Sequence, residues 1–260
     1  MNIKFLSCVM AVFLIGSGTP TPTAEVTVSF DWAYRAGDYV RGTPAVSGQV
    51  VYVGSDDNNL HAVNTETGEG IWKFGTAGNI TSQPVIAGDA IYFGSWDGAI
   101  YALRASTGKT VWQYVTGGWI TAPPVLANDV LYIGSNDGTL YALGAADGHP
   151  IWRYETDGRI ASAAVVDGDR VFFGSSDRYL YALDRASGTL LWRYRTGGAI
   201  VGAPAAAAGT VYVGSSDRGF YALDQASGDL KWRFEGGGAF ESAPGIAGGV
   251  AYIGGNDGRL

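Results

Sequence analysis

A tryptophan recurs every 40 residues along most of this chain, and that period limits the fold more than any other feature of the sequence. No insertion or deletion interrupts it. A glycine and an aromatic or histidine side chain keep the same step. The three series are Trp32, Trp72, Trp112, Trp152, Trp192 and Trp232; Gly54, Gly94, Gly134, Gly174, Gly214 and Gly254; and His61, Tyr101, Tyr141, Tyr181 and Tyr221. A fixed period of about 40–45 residues is typical of propeller blades or, less often, of a helical solenoid.

The content of one repeat decides between these two folds. Between residues 80 and 116 we expect four short strands, A to D, at 80–87, 90–93, 100–104 and 110–116. Pro84 falls inside strand A, which suits an edge strand because proline cannot donate to a ladder. Asp97-Gly98 is a strong hairpin signal between strands B and C. No segment has a helical period of useful length, so the sequence predicts an all-β propeller of four-stranded antiparallel blades.

The repeats predict five complete blades and a partial sixth. The complete units span about 40–76, 80–116, 120–156, 160–196 and 200–236, and a sixth begins at Phe240. Residues 26–36 carry Trp32 without preceding strands A to C, so we expect an isolated strand D that completes the sixth sheet. Strand C of that sheet is missing. The chain is then either a fragment of a seven- or eight-bladed ring, which we favour because the sequence stops within a strand, or an incomplete six-bladed ring.

The first 24 residues do not belong to the repeat. Lys4 precedes an apolar run from Phe5 to Gly16, and a stretch of small and polar residues follows. This layout predicts a signal peptide at 1–24, because the run is too short to span a bilayer as a helix. The alternative is a buried strand or helix of the domain. We therefore expect an exported protein, periplasmic or extracellular, with the propeller domain at 25–260.

Charge and cysteine content exclude several kinds of chemistry. The formal charge of −7 makes nucleic acid a poor partner. The only cysteine is Cys8, so the repeats contain no disulfide, thiolate metal site or cysteine nucleophile. His61 and His149 are isolated from other metal-type ligands. A periodic aspartate is interpreted as a turn residue and not as a calcium ligand, because equivalent positions in different blades cannot converge on one ion. This set comprises Asp57, Asp97, Asp137, Asp177, Asp217 and Asp257.

One segment of each repeat resembles a known family. The pattern Ala102-x-Arg104-x-x-Thr107-Gly108-Lys109-x-x-Trp112 is similar to the tryptophan-docking motif of PQQ-like β-propeller repeats, a family that includes quinoprotein dehydrogenases and the outer-membrane assembly lipoprotein BamB. The resemblance covers residues 25–260 and implies a structural docking role for the six periodic tryptophans. The family's dehydrogenases carry a vicinal cysteine pair and a calcium site. No cysteine follows Cys8, so the pair is absent, and the periodic aspartates are interpreted as turn residues. We therefore expect neither PQQ nor calcium and no catalytic residues.

Strand direction predicts which loops lie on the same side of the disc. If strand A leaves one face, the D–A and B–C loops both lie on that face. Residues there that vary between repeats are candidates for contact with a partner: Tyr39, Arg41, Trp96, Trp119, Arg159, Arg178, Arg218 and Glu241. Trp96 and Trp119 are the two tryptophans outside the periodic series, and exposed aromatic residues near arginine are typical of contact hot spots.

Each of these candidates has a simpler interpretation. Trp96 and Trp119 would then pack against neighbouring loops. Arg178 and Arg218 stand where other repeats have glycine, and the simpler view makes them solvated turn residues. A positive φ at an arginine costs about 1 kcal/mol unless another turn type is adopted.

Three functional hypotheses follow from the sequence. The first is a non-catalytic exported scaffold that binds a protein partner through the D–A/B–C face, similar to the outer-membrane assembly scaffold, with only indirect membrane association. No blade carries an insertion, and enzymes usually build their sites on such loops. The second is a fragment of a PQQ-dependent dehydrogenase. The third is a small-ligand or glycan binder that uses Trp96, Trp119 and Tyr39 as stacking platforms.

Overall fold

The strands of this chain form five four-stranded antiparallel sheets and one two-stranded sheet. They are seen in a computed structural model that describes residues 31–260. Strand order within each four-stranded sheet follows the chain, from A to D. The predicted all-β propeller with five blades and a partial sixth is therefore confirmed. Within 31–260, no helix is long and apolar enough to cross a membrane. The predicted signal peptide at 1–24 lies outside the described residues.

Strands A and B begin each blade. The three-residue A strands are β1 Ala45–Ser47, β5 Val85–Ala87, β9 Val125–Ala127, β13 Val165–Asp167, β17 Ala205–Ala207 and β21 Gly245–Ala247. The B strands are β2 Val50–Gly54, β6 Ala90–Gly94, β10 Val130–Gly134, β14 Arg170–Gly174, β18 Thr210–Gly214 and β22 Val250–Tyr252. Strands A of several neighbouring blades approach one another, so they form the inner edge of the arc of sheets.

Strands C and D complete the first five blades. The C strands are β3 Asn59–Asn64, β7 Ala99–Arg104, β11 Thr139–Gly144, β15 Tyr179–Asp184 and β19 Gly219–Asp224. The D strands are β4 Gly70–Gly75, β8 Thr110–Val115, β12 Pro150–Glu155, β16 Leu190–Arg195 and β20 Leu230–Glu235. Strand D is the outer edge of each sheet. In the repeat at 80–116, the predicted bounds of strands B, C and D agree with the structure to within one residue.

The prediction for strand A was wrong at its start. A strand was expected over 80–87, but β5 begins at Val85, after Pro84. Ile80 is fully buried and serves the contact with the preceding blade. Its backbone nitrogen donates to the Ser55 carbonyl at 3.2 Å, and its side chain packs on Gly54, where an added Cβ would lie 2.3 Å away. Ile80 therefore joins two blades and does not extend the ladder.

The placement of the isolated strand D in the sixth sheet was also wrong. That sheet contains β21 and β22, and residues 31–36 form no strand. A strand D pairs with a strand C, and the sixth sheet has none among the described residues. Trp32 nevertheless makes the contact with the first blade that the periodic series predicts, since its indole Nε1 donates to the Thr65 carbonyl at 2.7 Å. Residues 26–30 of the predicted strand lie outside the described range.

The hydrophobic core lies between the sheets, in layers that each join two neighbouring blades. The layer between the third and fourth blades contains Tyr132, Phe173, Tyr181 and Leu183, all almost completely buried. Strands B and C supply most of these side chains because they lie in the middle of each sheet. A blade therefore buries its apolar residues only with the help of its neighbours, as expected for a repeat protein.

The periodic tryptophans connect each blade to the next. In four successive blades the indole Nε1 donates to a carbonyl in the C–D turn of the following blade: Trp72 to Ala105, Trp112 to Ala145, Trp152 to Arg185 and Trp192 to Gln225, at 2.9–3.1 Å. The indole also covers the glycine of that turn. Gly108 has φ +68°, and a Cβ there would lie 2.8 Å from the Trp72 ring. This glycine is required both for its conformation and for the close approach of the indole.

Replacing Trp112 by alanine should lower the free energy of unfolding by about 3–5 kcal/mol, because it empties a buried site between two blades. Trp112 is 8% exposed, whereas Trp232 is 42% exposed and faces the two-stranded sixth sheet. Trp232→Ala is the matched control and should cost less than half as much. Urea unfolding followed by far-UV circular dichroism measures both values. Equal losses in the two variants would show that contact with the next blade is not what makes these tryptophans stabilising.

Candidate interaction face

The D–A and B–C loops lie on one face of the propeller, as strand direction predicts. In all six units a backbone N–H of the B–C loop donates to a carbonyl of the preceding D–A loop. These bonds of 2.8–2.9 Å join Asp56 to Tyr39, Trp96 to Asn79, Asn136 to Trp119, Ser176 to Arg159, Ser216 to Ala199 and Asn256 to Ala239. The variable side chains on this face therefore project from loops whose backbones are bonded to each other.

A buried serine at the end of each complete strand B also holds these loops. Ser95 is fully buried. Its Oγ lies 3.1 Å from the Gly78 carbonyl, to which it donates, and accepts from the Asp97 backbone nitrogen at 3.2 Å. Equivalent serines occupy 55, 135, 175 and 215. The repeated Gly-Ser pair was visible in the sequence, but sequence reasoning assigned the serine no role.

The periodic aspartate bonds to three groups at once. Asp137 Oδ1 accepts from the Thr139 nitrogen at 2.8 Å, which confirms its predicted turn role. Its Oδ2 accepts from the Gly117 nitrogen at 2.9 Å and from the Tyr141 hydroxyl at 2.8 Å. The tyrosine partner was missed, although aspartate and tyrosine four residues apart recur in four blades. Within 31–260, no three His, Cys, Asp or Glu side chains come together as metal ligands would.

These contacts change the pKa values of both partners. Burial alone would raise the pKa of Asp137, but hydrogen bonds from Tyr141, Thr139 and Gly117 outweigh burial and hold the pKa below its usual range. Burial, together with the bond to Asp137, raises the pKa of Tyr141 to about 12. The carboxylate and the neutral phenol therefore stabilise each other across the physiological range.

The first blade has histidine in place of this tyrosine. The His61 ring is buried, as expected for a packing residue. Its Nε2 lies 3.0 Å from Asp57 Oδ2, and its Nδ1 lies 3.0 Å from the Tyr34 hydroxyl. Burial would raise the pKa of Asp57, but hydrogen bonds from Gly37 and His61 lower it. His61 thus keeps the aspartate contact that tyrosine makes elsewhere and also anchors the segment that contains Tyr34.

Trp96 and Trp119, from adjacent blades, stack on each other. Their ring centroids are 4.9 Å apart and the planes differ by 6°. The indole Nε1 of Trp96 donates to the Thr81 hydroxyl at 2.9 Å. Trp119 remains 53% exposed. Trp96 therefore packs against a neighbouring loop residue, as the simpler interpretation expects, while Trp119 presents a ring to solvent. Contact of this pair with a partner stays a prediction.

The other predicted candidates lie on the same face but do not join this pair. Arg41 forms an ion pair with Asp56, and its guanidinium lies 5.0 Å from the centre of the Tyr39 ring. Arg159 is exposed. In the sixth unit, Glu241 accepts hydrogen bonds from Ser216 at 3.1 Å and from Asn256 at 3.0 Å. The structure thus forms a Tyr39–Arg41 cluster and a Trp96–Trp119 pair, with Glu241 separate from both.

Arg178 and Arg218 both adopt positive φ, at 79° and 70°. The turns therefore keep the geometry that glycine has at equivalent positions, and a different turn type is not adopted. The Arg218 guanidinium reaches Glu235 at 3.3 Å. Arg178 has no ion-pair partner among residues 31–260.

The sheets, their repeat length and the contacts between blades define this chain as a PQQ-like β-propeller protein. The chain belongs to the family described as outer membrane protein assembly factor BamB, whose sequence profile matches residues 23–122, 116–198 and 161–260. One curated relative, the outer membrane protein assembly factor BamB of Marinobacter adhaerens (strain DSM 23420 / HP15), is 39% identical over 61 residues. That match covers 21% of this chain and only 16% of the relative.

Solved structures share the fold at low sequence identity. The computationally designed Ika8 protein has a TM-score of 0.76 at 19% identity, over 85% of this chain and 69% of that one. BamB from Moraxella catarrhalis has a TM-score of 0.56 at 22% identity, over 88% and 86%. A quinohemoprotein alcohol dehydrogenase from Comamonas testosteroni has a TM-score of 0.66 at 20% identity, over 76% and 43%. At these identities the likeness shows the fold alone.

Replacing Asp137 by asparagine should make stability less dependent on pH. The lowered pKa of Asp137 contributes stability above the unfolded pKa of about 3.9, and this stability is lost as the pH falls through the lower folded value. Urea unfolding of the wild type between about pH 6 and pH 3 should therefore show a steeper loss of stability than Asp137→Asn shows. Tyr141→Phe removes one of the bonds to the carboxylate and should fall between them. Parallel curves for all three proteins would contradict the assignment.

Replacing Arg178 by glycine should stabilise the protein by about 0.5–1 kcal/mol, because glycine adopts positive φ without the steric cost of a side chain. Differential scanning calorimetry measures the shift. Arg159→Gly is the control, because Arg159 is also an exposed loop arginine but does not have a positive φ. This variant should not be stabilised. A lower melting temperature for Arg178→Gly would show that the arginine side chain makes up for its backbone strain.

Proposed function

We propose that this chain is an exported, non-catalytic scaffold that holds a protein partner on the D–A/B–C face, in the context of outer-membrane protein assembly. The observation that carries the proposal is the stacked Trp96–Trp119 pair, whose outer ring is 53% exposed. A large, rigid aromatic surface of this kind is typical of the residues that dominate protein interfaces.

The loops around this pair are held in place before any partner binds. The backbone nitrogens of Trp96 and Asn136 are bonded to the D–A loops, and Ser95 and Ser135 are buried beneath them. Binding to such a surface costs little conformational entropy, because the side chains are already ordered. This preorganisation favours a fixed docking surface over a mobile catalytic loop.

Three observations support a scaffold over an enzyme. The chain belongs to a family described by its part in outer-membrane protein assembly. No blade carries a loop insertion in which catalytic residues could be placed, and no cysteine follows Cys8. The structural likeness to an alcohol dehydrogenase concerns a fold that hosts many functions. Activity as a quinoprotein dehydrogenase would be detected as dye reduction that depends on quinone and calcium, and we expect none.

The proposed location rests on the first 24 residues and on the family. An apolar run of signal-peptide length precedes the repeats. Assembly of outer-membrane proteins takes place beyond the inner membrane, so a partner-binding propeller of this family has to be exported. We expect membrane association only through the partner, and the net charge of −7 disfavours binding to nucleic acid.

Replacing Trp119 by alanine should weaken recovery of the polypeptide partner by at least tenfold, because alanine truncation of an aromatic hot spot costs about 2 kcal/mol or more. The measurement is affinity capture from envelope extracts with the tagged full chain, quantified by mass spectrometry. Ile151→Ala is the matched control, since Ile151 is 52% exposed but lies on outer strand β12. The control should capture the same polypeptides as the wild type.

Two results would contradict the proposal. Identical capture by wild type and Trp119→Ala would show that this pair does not bind a protein partner. Quenching of tryptophan fluorescence by an oligosaccharide, lost in Trp119→Ala without any loss of polypeptide capture, would favour the glycan-binding alternative, because sugars also stack on exposed indoles.

A further inference from the structure

The fifth blade shows how a carboxylate can join two arginines at the outer end of a blade. Glu235 ends strand β20. Its Oε1 lies 3.3 Å from Arg218 and its Oε2 lies 3.4 Å from Arg233. Arg233 also donates from Nε to the Tyr221 hydroxyl at 3.1 Å. These contacts show that the side chains at positions 218, 233 and 235 meet at one place.

The fourth blade has the same backbone but the opposite charge at this place. Tyr179 pairs with Arg195 as Gly219 pairs with Glu235, and Arg193 stands where the fifth blade has Arg233. Arg178 has the same left-handed backbone as Arg218. Arginine therefore replaces the bridging glutamate. The blade 4 arginine site, defined as Arg178, Tyr179, Arg193 and Arg195, holds three guanidinium groups and no carboxylate of its own.

Tyr179 gathers two of these guanidinium groups over one ring. The Arg193 guanidinium lies 4.6 Å from the ring centre and that of Arg195 lies 6.0 Å away. Both distances fit cation–π contacts. The ring itself is half-buried against the apolar layer between the third and fourth blades. Stacking on a fixed ring keeps the arginines in place while their donor groups stay exposed.

The acidic groups of this region are used elsewhere. Asp177 accepts from the Tyr181 hydroxyl at 2.6 Å and from the backbone nitrogens of Tyr179 and Asp157. Glu155, on the preceding strand D, pairs with Arg153 at 3.5 Å. Within residues 31–260, none of Arg178, Arg193 and Arg195 forms an ion pair. Arg193 also interacts with the Tyr181 hydroxyl, but no carboxylate in the described part of the chain neutralises it. Three arginines without an ion pair at one place in a chain of net charge −7 form a localised positive patch.

We propose that the blade 4 arginine site binds a carboxylate side chain of an acidic polypeptide segment, in the position that the Glu235 carboxylate occupies in the fifth blade. Arg193 and Arg195 are alternate residues of strand β16, so their backbone positions are about 7 Å apart. The same spacing separates alternate side chains of an extended peptide. The ligand class is therefore an extended segment with Glu or Asp at every second position.

The charge distribution favours a polypeptide over an anionic membrane surface. A flat anionic bilayer would also approach the acidic remainder of the chain and be repelled by it, whereas a short peptide can contact the patch alone. This contact extends the proposed function to a second point of attachment. It does not rest on the Trp96–Trp119 pair, so either proposal can fail without the other.

Binding of a fluorescein-labelled peptide of alternating Glu and Thr tests the proposal. Fluorescence anisotropy with the full chain should show binding that weakens as salt rises from about 50 mM to about 300 mM. A matched peptide with Gln in place of Glu should bind at least tenfold more weakly. Arg195→Glu copies the fifth blade, so its internal carboxylate should occupy the site and weaken Glu-peptide binding by at least tenfold.

Two further variants separate the site from general charge and from folding. Arg104→Glu makes the same charge change at an exposed arginine on β7, outside the site, and should bind as the wild type does. Arg178→Gly removes one guanidinium at a position where glycine is the usual residue in other blades, so it should fold and bind more weakly.

Four outcomes would overturn the proposal. These are equal binding of the Glu and Gln peptides, unchanged binding by Arg195→Glu, and an equal loss in Arg104→Glu and Arg195→Glu. The fourth is Arg195-dependent binding to phosphatidylglycerol vesicles without binding to the Glu peptide, which would identify a membrane contact instead.

Discussion

The packing of a tryptophan on the glycine turn of the next blade is the contact on which the rest of the structure depends. A buried indole removes on the order of 150–250 Å² from water, which at about 25 cal/mol per Å² corresponds to roughly 4–6 kcal/mol as an upper bound. The contact also requires a carbonyl at a fixed place and a glycine with no side chain. Because each contact joins the end of one repeat to the middle of the next, an insertion in either would displace it. This explains why the period stays at 40 residues.

The same contact separates the parts of a blade that are fixed from those that can change. Strands B to D and the C–D turn pack between blades, and their residues recur. The opposite loops contribute Ile80 and its equivalents to the buried apolar layers, and the Trp96–Trp119 stack lies outside those layers. Buried serine and hydrogen-bonded aspartate hold the backbone of these loops, so their remaining positions can vary without loss of the fold. The stacked Trp96–Trp119 pair lies at such positions. The blade 4 arginine site departs from the repeat at Arg178 in a B–C loop and at Arg195, the exposed last residue of strand β16.

Much of the fold could be predicted because its signals are local. Asp97-Gly98 marks a hairpin, and the Thr-Gly turn before Trp112 marks the next one, so strands B, C and D followed from residues a few positions apart. The start of strand A did not, because whether Ile80 joins a ladder or packs on Gly54 is decided by the neighbouring blade. The placement of residues 31–36 failed for a related reason, since strand pairing needs a partner strand that the pattern alone does not supply.

The sequence predicted where the candidate site lies but not the contacts within it. Strand direction correctly placed Trp96 and Trp119 on one face, but their stacking depends on the height and tilt of two different blades. The bond between Asp137 and Tyr141 is local, and the sequence shows its four-residue spacing in four blades. The gathering of Arg193 and Arg195 over Tyr179, in contrast, depends on cross-strand register. Counting residues along the chain does not give that register. Comparison of the fourth repeat with the fifth does show arginine at 195 where glutamate stands at 235.

The central claim is that the D–A/B–C face binds a polypeptide through its aromatic pair, while outer strand β12 does not. Photo-crosslinking in cells tests it most directly, with p-benzoylphenylalanine placed at position 119 or, as the comparison, at position 151. The account predicts a defined crosslinked polypeptide from position 119 and none from position 151. Equal crosslinking from both positions, or crosslinking only from position 151, would contradict it.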